Sequence, residues 1–375
     1  MSNRRTFIKT TGMAAGSLFV PQEAFPNKRA PGGAGSTGLN LSWKPYELQL
    51  KHVFTIATNS RTTTPVVLIE IEFDGIIGYG EASLPPYLGE TQESVMRFLS
   101  GLQLEQFNNP LLLDDILDYV SASALGNYAA KASVDIALHD LAGRLLGHPW
   151  HRMWGLNPEL APVTSFTIGI DTPDVVRQKV KEAAEFKILK VKLGRENDRE
   201  MINMVRNVTD VQLCVDVNQG WSNKHLALEM VEWLADQNVA FIEQPFPVAA
   251  IDDTAWLTER SPLPIIADEA LQSVEDVLPL KGLYSGINIK LMKCGGLRAA
   301  RRMIGLAGVL GMDVMLGCMT ETSCAISAAA QLSPQARWAD LDGNLLISND
   351  IFDGVKVVDG KITLSDRPGI GVIPA

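Results

Sequence analysis

Between Lys190 and Asp342, charged residues fall one after another at the ends of short apolar runs. Lys190-Val191-Lys192 closes the run 186–191, Asp216 closes 211–215, and Glu243 closes 239–242. Asp268-Glu269 follows 264–267, Lys290 follows Ile287-Asn288-Ile289, and Asp340-Leu341-Asp342 follows Arg337 and Trp338. Asp216, Glu243 and Asp268 supply three hard oxygen donors with no His or Cys among them, which suits Mg²⁺ better than zinc. Lys192 and Lys290 bracket that set. An ammonium close to another ammonium and to a divalent cation has a depressed pKa, so a lysine there acts as a base near neutrality. Two such lysines take a proton from one face of a carbon α to a carboxylate and return one to the other face, while the metal neutralises the enediolate. That is a 1,1-proton transfer, hence racemisation or epimerisation. Lys190 lies two residues before Lys192 on the same strand face, and either lowers the pKa of Lys192 or binds a substrate oxygen.

The steps from Lys192 to Asp216, Glu243, Asp268 and Lys290 are 24, 27, 25 and 22 residues. Each step has room for one strand, one helix and two loops, a structural repeat without sequence identity. Polar residues at successive strand C-termini are the way a (β/α)₈ barrel builds its site, so residues 161–349 are expected to form a modified barrel of that type. Ahead of it, 43–48 and 64–72 show strand periodicity, and Gly75 and Gly78 mark a turn before Gly80-Glu81-Ala82. The stretch 52–61 has no strong period and reads as a loop. Apolar residues at helical spacing predict helices over 93–102, 111–120 and 127–146. Strands followed by helices imply a separate α+β capping domain over 39–160, which the strand-like tail 350–375, with a hairpin signal at 357–362, is expected to rejoin.

With 375 residues, 46% hydrophobic and 20% charged, the chain is globular and long enough for one large or two ordinary domains. A net charge of −10 argues against nucleic acid or an anionic membrane as partner. Residues 1–20, with Arg4-Arg5-Thr6-Phe7-Ile8-Lys9 before a weakly apolar run, resemble a twin-arginine export signal, and 21–38 read as a loose linker. That signal implies export to the periplasm. No later segment is apolar enough to span a bilayer. Cys214, Cys294, Cys318 and Cys324 show neither Cys-x-x-Cys spacing nor neighbouring histidines, so no zinc site is indicated; free thiols and a Cys294–Cys318 bridge both stay open. Oligomeric state, including a homo-oligomer, also stays open.

The order Lys190-x-Lys192, Asp216-x-Asn218, Glu243-Gln244-Pro245, Asp268-Glu269, then Lys290 with Gly295-Gly296, resembles the muconate-lactonizing branch of the enolase superfamily. The resemblance covers about residues 40–375 and includes Gly80-Glu81-Ala82 and Trp154-Gly155. It implies a cap closing over a modified barrel, Mg²⁺ on Asp216, Glu243 and Asp268, and acid/base roles for Lys192 and Lys290. The seventh barrel strand, Val314 to Cys318, carries no histidine, which departs from the mandelate racemase branch. Three reactions share these motifs: muconate cycloisomerisation, dehydration to o-succinylbenzoate, and dipeptide epimerisation. Asp340 and Asp342 separate them, because an acidic pair on one strand face suits a substrate ammonium that the first two substrates lack. The pair resembles that of dipeptide epimerases, although Asp342-Gly343 is also a turn signal. The stretch Met319-Thr320-Glu321-Thr322 is similar to the Ala-Glu subgroup, which places Thr320 among the substrate-binding residues. Arg61 is either a solvated loop arginine or, as in that subgroup, the partner of a substrate Glu side chain. The resemblance thus implies a small dipeptide as substrate. A non-catalytic periplasmic dipeptide-binding protein is the competing reading from another class, and it has no need for both lysines.

Overall fold

The computed structural model describes residues 38–55 and 60–375. The stretch 1–20, which resembles an export signal, and most of the linker lie outside the described residues, as do residues 56–59. The first sheet is antiparallel, in the order β1 (Asn40–Thr55), β2 (Ser60–Phe73) and β3 (Ile76–Ser83). Its centre is β2, where Val66, Val67, Leu68, Ile69 and Ile71 are fully buried, as β-branched and aliphatic residues on a covered strand should be. The stretch 52–61 corrects the loop expected there. Its described residues, 52–55 and 60–61, lie on two paired antiparallel strands, with Phe54 opposite Arg61 and Thr55 opposite Ser60. A register shift between Gln49 and Phe54, together with exposed residues on both faces, removes the alternation that would have marked a strand.

Three helices follow: α1 (Gln92–Gly101), α2 (Leu113–Ala122) and α3 (Tyr128–Leu146). Thr91 and Ser94 close a capping box at the start of α1. Rich in alanine and carrying buried Ser133, Asp135, His139 and Asp140 among its apolar residues, α3 is buried through its middle and lies across β2 and β3. Contact there is so close that a Cβ on Gly80 would sit 2.1 Å from the Ser133 carbonyl oxygen. A short α4 (Trp150–Met153) leads to the barrel.

Eight parallel strands form the second sheet: β4 (Phe166–Ile168), β5 (Ile188–Lys192), β6 (Gln212–Asp216), β7 (Val239–Glu243), β8 (Ile265–Ala267), β9 (Gly286–Ile289), β10 (Asp313–Gly317) and β11 (Trp338–Asp340). The two edges meet where Thr164 bridges Ala339 and the Ser165 amide donates to the Ala339 carbonyl at 2.9 Å, so the sheet closes nearly into a barrel. Between strands run α5 (Pro173–Glu182), α6 (Asp198–Arg206), α7 (Lys224–Asp236), α8 (Ile251–Arg260), α9 (Val274–Val277), α10 (Leu291–Cys294) and α11 (Leu297–Leu310), then α12 (Ser323–Ala330) after β10.

The strands alternate, as a barrel requires. Leu189, Val191, Leu213, Val215, Ile242 and Ile287 join the main core between sheet and helices. Ile188, Cys214, Phe241, Ile266 and Met315 form a separate apolar cluster that fills the interior. Two residues further along the same strands come Lys190, Asp216, Glu243, Asp268 and Gly317, at the C-terminal end. An apolar plug therefore supports a polar layer.

After the barrel the chain returns to α3. The Ile370 amide donates to Asp140 Oδ1 at 3.0 Å, and Arg144 Nη2 donates to the Val372 carbonyl. A hairpin of β13 (Lys356–Val358) and β14 (Lys361–Thr363) lies between two short paired strands, β12 (Phe352–Asp353) and β15 (Ile373–Pro374). All four cysteines are free and buried. Among the described residues no helix is long and apolar enough to cross a membrane.

Candidate active site

Asp216, Glu243 and Asp268 end three neighbouring strands, and their carboxylate oxygens all lie within 4.8 Å of one another. All three are buried, with no His or Cys in the group. A buried, all-carboxylate set of this size fits a hard divalent cation. Glu243 shows the same fit at the level of one atom: its Oε2 is buried and lacks a hydrogen bond of acceptable geometry, although Lys190 Nζ lies 2.7 Å away.

Four lysines surround the triad. Lys192 Nζ donates to Asp216 Oδ2 at 2.6 Å, and Lys290 Nζ donates to Asp268 Oδ2 at 2.7 Å. The strand order puts β6, β7 and β8 between them, so the two reach the triad from opposite sides. Lys190 sits deeper, with Nζ 3.1 Å from Asp216, 2.7 Å from Glu243 and 2.8 Å from Asp340. Lys293 grips Asp268 from behind, donating to Oδ1 at 2.5 Å and to the backbone oxygen at 2.6 Å.

Burial alone would raise the Asp216 carboxyl, but Lys192 and Lys190 hold it down at about 2. Glu243 goes the other way, pushed up to about 7 by burial and by Asp216 against the pull of Lys190. Burial lowers the Lys290 ammonium, yet Asp268, Tyr87 and Glu243 outweigh it and leave it well above its ordinary value. The depressed value expected of a lysine in this position depends on a neighbouring cation. That expectation included the charge of a cation, whereas the carboxylates alone push upward.

Lys190 lines the cavity as well, but its Nζ is shared among three carboxylates, and on Asp216 it reaches the same Oδ2 that Lys192 holds. Two residues along a strand share a face but differ in depth, and Lys190 occupies the deeper level.

Asp340 and Asp342 both line the cavity and differ in their partners. Asp340 accepts from Lys190 and, at 2.6 Å, from Ser165 Oγ. Asp342 accepts from the Thr167 amide at 2.7 Å and has no lysine partner among the described residues. Burial and the Asp340 charge push its carboxyl up to about 7. Of the pair, Asp342 is the one open to a new cation.

Arg61 reaches the cavity from β2 across the seam between the sheets. Its Nη2 donates to Thr320 Oγ1 at 3.1 Å, and the guanidinium stacks over Phe54 at 5.0 Å. Its Nε is buried without a partner, and no carboxylate among the described residues pairs with it. Burial lowers its pKa. The cavity, about 430 Å³, brings Arg61 and Thr320 together with Lys192, Lys290, Asp340 and Asp342.

Three supporting residues had no role in the sequence reading. Asn288 Nδ2 donates to Glu243 Oε1 at 2.8 Å. Gln244, held at φ +37°, accepts from the Asp268 amide at 3.0 Å and donates to Tyr284 Oη, tying the ends of two strands together. Lys293 is the third. Asn288 was findable, since it lies two residues before Lys290 and must share its face. For Lys293, past the strand, only its place just ahead of Gly295-Gly296 was a signal.

Residues 174–374 match the family model described as enolase C-terminal domain-like, and residues 45–155 match the mandelate racemase / muconate lactonizing enzyme N-terminal domain. An L-Ala-D/L-Glu epimerase of Bacteroides thetaiotaomicron is 59% identical over 100% of both chains. That of Escherichia coli is 37% identical over 83% of this chain and 95% of its own. Among solved structures, a dipeptide epimerase from Enterococcus faecalis, complexed with Mg and L-Leu-L-Tyr, superposes with a TM-score of 0.81 at 30% identity, covering 88% of this chain and 98% of that one. The chain belongs to the mandelate racemase / muconate lactonizing enzyme family of the enolase superfamily.

Proposed function

We propose that the protein is a Mg²⁺-dependent dipeptide epimerase acting on L-Ala-D/L-Glu, inverting the α-carbon of the C-terminal residue. The observation that carries this reading is the pair of lysines anchored on different members of one carboxylate triad, from opposite sides, inside a cavity that also holds an acidic pair. Asp216, Glu243 and Asp268 would hold magnesium, and the ion supplies charge stabilisation for a substrate carboxylate whose α-proton is leaving. Lys192 takes the proton on one face and Lys290 delivers one on the other, the roles exchanging with the direction of reaction. Asp342, supported by Asp340, receives the substrate ammonium. Arg61, a buried guanidinium without a carboxylate partner, pairs with the side-chain carboxylate of Glu. The name of the 59%-identical relative supports the same substrate.

Incubation with L-Ala-L-Glu and Mg²⁺ in deuterated buffer should place deuterium at the Glu α-carbon and yield the L,D epimer, with both products lost on chelation. Absence of exchange with any dipeptide tried would refute the reading. Localisation is a separate proposal, that the Arg4-Arg5 stretch directs export to the periplasm. Fusion of residues 1–38 to a reporter active only after twin-arginine export tests it, and an inactive fusion rejects it.

A further inference from the structure

Glu81, the centre of Gly80-Glu81-Ala82, takes no part in the chemistry above, yet it is fully buried where the first sheet meets the barrel. Its carboxylate accepts the Thr322 amide at 3.0 and 3.2 Å through its two oxygens, the Thr322 hydroxyl, and the Ala325 amide at 3.4 Å. Ser83, on the same face of β3, donates its hydroxyl to the Thr320 carbonyl at 2.7 Å. One strand of the cap therefore holds both ends of the turn 320–322, the segment that follows β10. Thr320 in turn accepts from Arg61, which belongs to the neighbouring strand β2. The chain of contacts is continuous: Glu81 and Ser83 fix the turn, the turn fixes the Thr320 hydroxyl, and the hydroxyl aims the guanidinium.

We propose that Glu81 and Ser83 are positioning residues for substrate choice, holding Thr320 where it directs Arg61 at the side-chain carboxylate of the second residue. This rests on the reading of Arg61 given above. A flexible arginine loses rotamer entropy when it binds, and a preset hydrogen bond removes part of that cost in advance. Loss of the tether therefore weakens recognition of the acidic side chain and leaves proton transfer at Lys192 and Lys290 untouched. A merely structural cap on α12 would instead affect every substrate alike.

The test compares L-Ala-L-Glu with L-Ala-L-Val in the full-length protein with Mg²⁺, using α-proton exchange for KM and kcat and calorimetry for Kd. The variants are Glu81→Gln, Ser83→Ala, Arg61→Ala and the doubles with Arg61→Ala. Ser83→Ala keeps the experiment decisive if the buried Glu81→Gln protein fails to fold. The expected result is a KM for L-Ala-L-Glu raised about tenfold in either single variant, within the range of coupled contacts. Unchanged kcat, unchanged L-Ala-L-Val binding and no further loss in the Arg61→Ala background complete the expectation. Equal loss on both dipeptides, or additive loss in the doubles, overturns the inference. If Arg61→Ala leaves the Glu preference intact, the Arg61 reading falls and the inference with it. If Arg61→Ala abolishes that preference while Ser83→Ala and Glu81→Gln do not, only the inference falls.

Discussion

The deep layer of the site and its mouth are built from the same residue types and treat them in opposite ways. In the deep layer the cations Lys190 and Lys293 are saturated with carboxylate and carbonyl partners, and Asn288 and Gln244 tie the strand ends beneath, with Glu243 Oε2 and Asn288 Oδ1 the oxygens left without a hydrogen bond. Along the cavity wall, Arg61 Nε, Asn218 Oδ1 and Glu269 Oε2 are buried without hydrogen-bond partners, and Asp342 has no cation among the described residues. Saturated polar groups in a low-dielectric interior are rigid, and removing one strands the others. Unsaturated groups carry a standing desolvation cost that a ligand with the matching group relieves. One layer holds a geometry and the other waits for a molecule.

The boundary between the two layers runs through Lys192 and Lys290, each bonded below to one carboxylate and open above to the cavity. Replacing either with Ala should lower the α-proton exchange rate by about 10²–10⁴-fold, the usual contribution of a general acid or base. The melting temperature should change far less than for a deep-layer variant. A lysine variant that retained exchange would break the division. Next in size, Lys190→Met should cost about 3–5 kcal/mol of stability, because three buried carboxylates lose their shared cation. Denaturant unfolding measures it, and a wild-type midpoint would show that the deep layer is not what holds the strand ends.

The smallest effect belongs to the mouth and depends on pH. Asp342 titrates near 7 instead of near 4, so at about pH 6 it is mostly protonated and offers no charge to an ammonium. As pH rises to about 8 it ionises, and KM for L-Ala-L-Glu should fall about tenfold over that interval. In Asp342→Asn that pH dependence of KM should flatten, with KM fixed near the acid-side value. A KM profile unchanged by the substitution would assign the ammonium to Asp340 instead.

The metal triad and the two flanking lysines were legible in sequence because barrel strands recur at near-regular spacing and each ends on its charged residue. Depth was not legible. Lys190 and Lys192 look equivalent on paper, and so do Asp340 and Asp342; only the closed barrel shows that the first of each pair faces the other across the interior. The strand pair bearing Arg61 was misread as a loop because its register shift scrambles the alternation, although the arginine itself was picked out by resemblance. Lys293 and Gln244 act through backbone groups of neighbouring strands, contacts that strand periodicity does not encode.

Gly317 occupies an inward position on β10, two residues past Met315, and a Cβ there would lie 2.5 Å from Asn288 Oδ1. The strand is thus barred from offering any side chain at the level of the triad while Asn288 orients Glu243. An ancestor or a designer wishing to place a histidine at that point meets an epistatic barrier: Asn288 must shrink first, and that step alone loosens Glu243. Two-lysine and lysine–histidine chemistries are then separated at this position by a valley that single substitutions do not cross cheaply, and a library randomising residues 288 and 317 together should contain folded solutions that neither single-site library does.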